Sequence, residues 1–214
     1  MITRIAEPSG ARAGCEAVAD LPGDALLPQA DVVTTRAITI RADAADVWPW
    51  IAQLGQGRGG LYSYDRLENL LGCDIHSADR VHPEWQGIHT GDEICLAPGM
   101  ALTVALADPP RALVLRGAEI PMGVLGSPFD FTWAFTLRSE PGVGTRLAVR
   151  ERYAYRCRWA GLLVRPTSLI SAVMSRRMLR GIRDRVEGRP RQDVMRAARR
   201  LLIARVPQTS RCSS

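Results

Sequence analysis

The chain has 214 residues, of which 46% are hydrophobic and 23% charged, with a formal net charge of +6. That length suits one domain with short extensions, and the balance excludes a disordered chain, a collagen-like repeat and a coiled coil. No apolar run approaches the roughly 18 residues a membrane span needs and no basic-then-apolar leader opens the chain, so a cytoplasmic protein is expected.

The charge is unevenly spread. All 28 basic residues are arginine: 11 against 18 acids through Val149, then 17 against 4 from Arg150 onward. A C-terminal third this basic either coats a solvent face or meets an anionic surface. No recognised nucleic-acid motif accompanies it, so no nucleic-acid partner is expected. The five cysteines (Cys15, Cys73, Cys95, Cys157, Cys212) are odd in number and never spaced CxxC, and His76, His82 and His89 lack helical zinc spacing. Neither a disulfide framework, a metal site nor a cofactor is expected.

In chain order, residues 1–30 carry Pro8, Pro22 and Pro28 without periodicity and read as an irregular arm. Val32–Arg41 is rich in β-branched residues and predicts the first strand. Asp43–Leu54 predicts a helix if Asp46 is the N-cap, because Pro49 then falls in the first turn. A glycine cluster follows, then a second short helix over Tyr62–Leu71, closed by Gly72. Strands are predicted at Gly91–Leu96, Ala101–Ala107, Arg111–Gly117, Phe129–Arg138 and Gly144–Arg156, with short turns that imply antiparallel hairpins.

From Pro166 to Glu187 the period becomes helical, with Ile170, Val173, Met174, Met178, Ile182 and Val186 as the apolar stripe and Gly188 at the C′ position. Gln192–Val206 predicts a further basic amphipathic helix with Asp193 as N-cap. Such a helix can make weak contact with a membrane surface or dock on its own domain or a second subunit. The expected division is an arm (1–30), a domain (31–188) and a basic C-terminal segment (189–214). The expected class is α+β: a curved antiparallel sheet wrapped around one long C-terminal helix, with two short helices after the first strand.

This order, together with TRAITI (35–40), DVWPWIAQLGQGRGGLYSYDRLENLLG (46–72), HSADRVHPEWQ (76–86) and TGDEI (90–94), resembles the helix-grip fold of the START-like (SRPBCC) superfamily. That superfamily includes polyketide cyclases/dehydrases and lipid-transport proteins, and the motifs are most similar to an actinobacterial branch of it. The similarity spans about Asp31 to Gly188. It implies a cavity between sheet and long helix that holds an apolar or aromatic small molecule, and it transfers no catalytic signature.

Residue patterns add candidates. Gly55-Gln56-Gly57-Arg58-Gly59-Gly60 satisfies GxGxxG, but no βαβ unit surrounds it, so it reads better as a connection needing positive φ. Arg58 beside it either meets an anionic ligand group or pairs with Asp65. Phe129, Phe131, Trp133 and Phe135 alternate with smaller or polar residues and share one sheet face, as core or as cavity wall. On the next strand Thr145, Leu147, Val149, Glu151, Tyr153 and Tyr155 share a face. The opposite face carries Arg146, Arg150, Arg152 and Arg156, which should meet water.

Glu151 should therefore point inward, as a general base or ligand anchor or as a structural hydrogen-bonding group. Glu151→Gln is expected to be tolerated by the fold. His76, with Asp79 nearby, is a second acid–base candidate. The candidate ligand-binding set is Trp50, Arg58, Tyr62, Tyr64, Phe131, Trp133, Glu151, Tyr153, Met174 and Met178, around a pocket of roughly 300 Å³ or more. Two functions compete: binding an apolar, lipid-like or polyketide-like molecule, and a cyclase/dehydrase-type enzyme. Convergence of Glu151 and His76 on one cavity would favour the enzyme.

Overall fold

In a computed structural model, the backbone is described for residues 3–6, 20–70, 72, 74–117 and 127–204, and side chains for 20–65, 69–70, 72, 74–117 and 127–188. The strands are β1 (Thr3–Ala6), β2 (Val32–Ile40), β3 (Glu93–Ala97), β4 (Met100–Asp108), β5 (Ala112–Gly117), β6 (Phe129–Glu140) and β7 (Gly144–Tyr155). The helices are α1 (Ala44–Ala52), α2 (Asp65–Leu70) and α3 (Ala160–Ala204). One curved, unclosed sheet runs in the order β1-β2-β7-β6-β5-β4-β3. Strands β2 to β7 are antiparallel, and β1 adds a short parallel edge to β2. This is the expected α+β helix-grip arrangement.

The β6–β7 hairpin sets the register of the centre. Phe131 lies opposite Tyr153, Trp133 opposite Glu151 and Phe135 opposite Val149, so the aromatic strip and the Glu151 face look into the same interior. Gly142 and Gly144 carry positive φ in the connecting turn. A Cβ on Gly144 would collide with the Ile40 carbonyl. The inner core joins Phe135, Leu147, Val149, Leu113 and Leu115 from the sheet to Met178, Leu179, Ile182 and Val186 from α3. Among the described residues no helix is long and apolar enough to cross a membrane.

Six local expectations are corrected. Residues 3–6 of the arm form β1. Helix α1 begins after Asp43, so Pro49 is its sixth residue and leaves one carbonyl without a helical donor. Helix α2 is shorter than expected, although Gly72 follows it with φ 80. Helix α3 starts at Ala160, placing Pro166 in its interior, and runs through Gly188 and Asp193 as one backbone helix. Gly188 is therefore not a C′ residue and Asp193 is not an N-cap; the side chains beyond 188, and residues 205–214 altogether, lie outside the described residues.

The fifth correction concerns the stripe that α3 buries. Ile170 and Val173 are 61% and 50% exposed, whereas Ala160, Val164, Ser168, Ala172 and Ser175 are buried. The inward line of the first half of the helix is thus built of small and hydroxyl side chains.

The outer face also differs. Arg150 does not meet water and Arg152 does so only in part: the Arg150 side chain is 3% exposed and ion-pairs with Asp24, which also lies 3.2 Å from the 13%-exposed Arg152. Arg152 donates to the carbonyls of Leu27 and Pro28 at 3.0 and 3.2 Å, and Arg150 to Thr35 Oγ1 at 2.9 Å. The segment 24–28 therefore covers the back of β7, with Gly23 (φ 92) turning it over Val114. Breaking a buried pair strands the remaining charge and costs about 3 kcal/mol or more. Asp24→Ala is expected to lower unfolding stability by about 3 kcal/mol in urea titrations; a change within about 0.5 kcal/mol would show that the arm is not a structural cover.

Candidate functional site

The glycine cluster closes on itself. Gly55 and Gly60 exchange backbone hydrogen bonds at 3.0 Å in both directions, and Gly55, Gly57 and Gly60 all have positive φ. A helix precedes this loop, so the phosphate-cradling geometry of the dinucleotide motif is absent from it. Arg58 folds back to donate to the carbonyls of Ala52 (3.0 Å) and Trp85 (2.7 Å), and burial lowers its pKa. Asp65 instead accepts from the Ser77 N–H (2.8 Å) and hydroxyl (2.6 Å).

Tyr62 is the wedge between this region and α3. It has φ 54, stacks edge-on with Trp50 at 5.8 Å, and lies under the Arg185 guanidinium at 4.8 Å. Its hydroxyl accepts from Gln53 Nε2 at 2.7 Å. Burial pushes its pKa up to about 12, while the Gln53 bond and the Arg185 and Arg58 charges pull the other way. The approach is close: a Cβ on Gly181 of α3 would sit 2.4 Å from the Tyr62 carbonyl oxygen.

Beyond this wedge lies an apolar pocket of about 260 Å³. Phe131 and Trp133 form its sheet side, Met174, Met178 and Ile170 its helix side, and Leu61, Ile75, Leu96, Ala97 and Met100 the rest of the apolar wall. Its hydroxyl groups are Ser63, Thr167, Ser171 and Ser175. Four of the sequence candidates, Phe131, Trp133, Met174 and Met178, thus meet at one pocket, slightly smaller than expected. Trp50 is core. Tyr62 and Tyr64 border a separate, open polar recess with Arg177 and Arg185. Arg58 and His76 border another beside Cys95, and the His76 side chain is 81% exposed, 3.7 Å from Asp74.

Glu151 is fully buried behind the pocket wall. Its Oε1 accepts from Ser171 Oγ at 2.7 Å and Ser175 Oγ at 2.8 Å, with Arg36 Nη1 at 3.6 Å. Its Oε2 accepts from the Tyr153 hydroxyl at 3.2 Å and Thr34 Oγ1 at 3.4 Å. Burial, and then the adjacent Glu151 charge, hold the Tyr153 pKa far above its ordinary value. A carboxylate so supplied with donors has no free face for proton transfer. Glu151 and His76 do not share a cavity.

Arg36, Thr34, Ser171 and Ser175 stand outside the candidate set read from the sequence. Period two from Val32 places Thr34 and Arg36 on the inward face of β2, and Ser171 and Ser175 stand one helical turn apart. Those two signals could have found them. Trp133 Nε1 and Arg36 Nε are buried with no hydrogen-bond partner. Among the described residues no group of three or more His, Cys, Asp or Glu could hold a metal.

No family model matches the chain, and no curated protein matches it. Solved structures similar to it include the di-domain ARO/CYC protein BexL, at 15% identity over 72% of this chain and 50% of that one (TM-score 0.41). The Polyketide_cyc-like protein from Corynebacterium glutamicum is 14% identical over 73% of this chain and 92% of that one (TM-score 0.38). A protein from Nitrosospira multiformis is 11% identical over 74% of this chain and 99% of that one (TM-score 0.46). Polyketide cyclase-like proteins thus stand among the structural neighbours of this helix-grip chain, at similarities that assign it no activity.

The donor count around Glu151 changes the expectation for its replacement. Glu151→Gln keeps the shape but removes the charge facing Arg36 and turns an amide NH2 toward hydroxyl donors, so a loss of about 3 kcal/mol in urea unfolding is expected. Wild-type stability in that variant would reduce the cluster to ordinary polar packing. Tyr62 and Tyr153 add a pH dependence. Both folded pKa values lie above the ordinary 10, so each contribution is complete below pH 10; that of Tyr62 is lost as pH rises to about 12, and that of Tyr153, held higher, keeps falling beyond it. Each should steepen the alkaline decline by about 1.4 kcal/mol per pH unit. Tyr62→Phe should flatten the decline between pH 10 and 12; an unchanged slope contradicts the assignment.

Proposed function

We propose that the protein binds an apolar small molecule, aromatic, lipid-like or polyketide-like, in the pocket between the sheet and α3. The observation that carries this reading is the 260 Å³ apolar pocket walled by Phe131, Trp133, Met174 and Met178, open toward solvent beside the exposed Thr167 and Ile170. An apolar lining with a few polar groups is the usual character of a ligand site. A cyclase/dehydrase-type reaction would need an acid–base group at this wall. Glu151 stands behind two serines and His76 lies on an exposed loop, so the geometry favours binding over catalysis.

Native mass spectrometry of the purified protein should find one apolar molecule bound per chain. Met174→Trp, which fills the pocket from the helix side, should abolish that adduct while leaving stability within about 1–3 kcal/mol of wild type. An adduct that survives the filled pocket would overturn the reading.

A further inference from the structure

We infer that the α3 hydroxyl row of this pocket accepts hydrogen bonds and does not donate them, so that its ligand is an apolar ring system bearing an N–H or O–H group. The inference rests on the binding reading above and specifies the chemistry of that ligand.

Three hydroxyls of α3 line the pocket at successive helical turns: Thr167, Ser171 and Ser175. A hydroxyl has one proton and two lone pairs, so where its proton goes decides what it offers on its other side. All three protons are committed away from the ligand space. Thr167 Oγ1 donates to the Leu163 carbonyl at 2.8 Å. Ser171 and Ser175 donate to Glu151 Oε1 at 2.7 and 2.8 Å, and a carboxylate can only accept. Glu151 thereby orients both serine protons inward and leaves their lone pairs as the groups available to a ligand.

The ring N–H on the wall, Trp133 Nε1, is itself buried and cannot substitute as a donor at the pocket surface. Ser63 also borders the pocket, outside this α3 row. Around these acceptors the wall is carbon and sulfur: Phe131, Trp133, Ile170, Met174 and Met178. A ligand acceptor placed against the serines would meet lone pair with lone pair and lose its water without replacement, whereas an N–H or O–H would be satisfied.

Indole and benzofuran test this directly, since they share one ring shape and differ by an N–H against an ether oxygen. Benzofuran is the more apolar and would bind tighter to a plain greasy pocket. In isothermal titration calorimetry on the full chain, indole is expected to bind about tenfold more tightly. 1-Methylindole, which lacks the donor, should fall toward benzofuran. Ser171→Ala should narrow the indole-to-benzofuran ratio, a quantity that partial unfolding alone does not move. Equal binding of the two rings, or a preference for benzofuran, overturns the inference and leaves the binding reading intact. Failure of every ring to bind overturns both.

Discussion

A carboxylate with no exposed surface is tolerated only where its lost hydration is replaced by donors and opposite charge. Glu151 meets that condition by drawing on three elements at once: Thr34 and Arg36 from β2, Tyr153 from its own strand, and Ser171 and Ser175 from α3. Apolar contact between a helix and a sheet is permissive about sliding and rotation. A carboxylate that must receive two serine protons is not, and it fixes both the rotation of α3 and its height along β7. The buried half-stripe of Ala160, Val164, Ser168, Ala172 and Ser175 follows from this constraint, because long apolar side chains on that line would displace the hydroxyls.

The back of the sheet obeys the same electrostatic rule with the opposite sign. Arg150 and Arg152 sit in the centre of β7, where a solvent-facing layer would keep them hydrated. Instead Asp24 and the carbonyls of Leu27 and Pro28 accept their hydrogen bonds. The strand therefore carries inward and outward charges on adjacent residues, each compensated by a different part of the chain: α3 and β2 for Glu151, the arm for Arg150. Two layers are thereby tied to one strand by directional contacts as well as by burial.

The parts of this structure that were legible in the sequence are those governed by period two. The alternation in β6 and β7 gave the shared face of Phe131, Trp133, Glu151 and Tyr153, and the short turns gave antiparallel order. The helix face was misread because hydropathy favours burying Ile170 and Val173 over Ser168, Ser171 and Ser175. What reverses that preference is a partner 20 and 24 residues earlier, Glu151, and a helical periodicity taken alone contains no term for it. Arg36 has the inward parity of β2, but no local pattern shows that a carboxylate of another strand faces it. The Arg150–Asp24 pair depends on a contact 126 residues apart that no local pattern records.

These same choices account for where the pocket lies. Opposite Glu151 the helix must present short hydroxyl side chains, and short side chains leave volume unfilled beside large neighbours such as Phe131 and Trp133. Further along α3, where no buried charge faces the helix, Met178, Leu179, Ile182 and Val186 return and the core closes. Tyr62 and Gly181 hold the loop tightly on the helix at that boundary. The void is thus bounded on one side by closed packing and on the other by the hydroxyl row that the carboxylate requires. Refilling it with larger apolar residues at Ser171 or Ser175 would strip donors from Glu151, so the pocket cannot be closed from the helix at those positions without stranding a buried charge. Met174 stands between them in sequence and carries no such bond, which makes it the position on the helix wall where volume can change while the cluster stays intact.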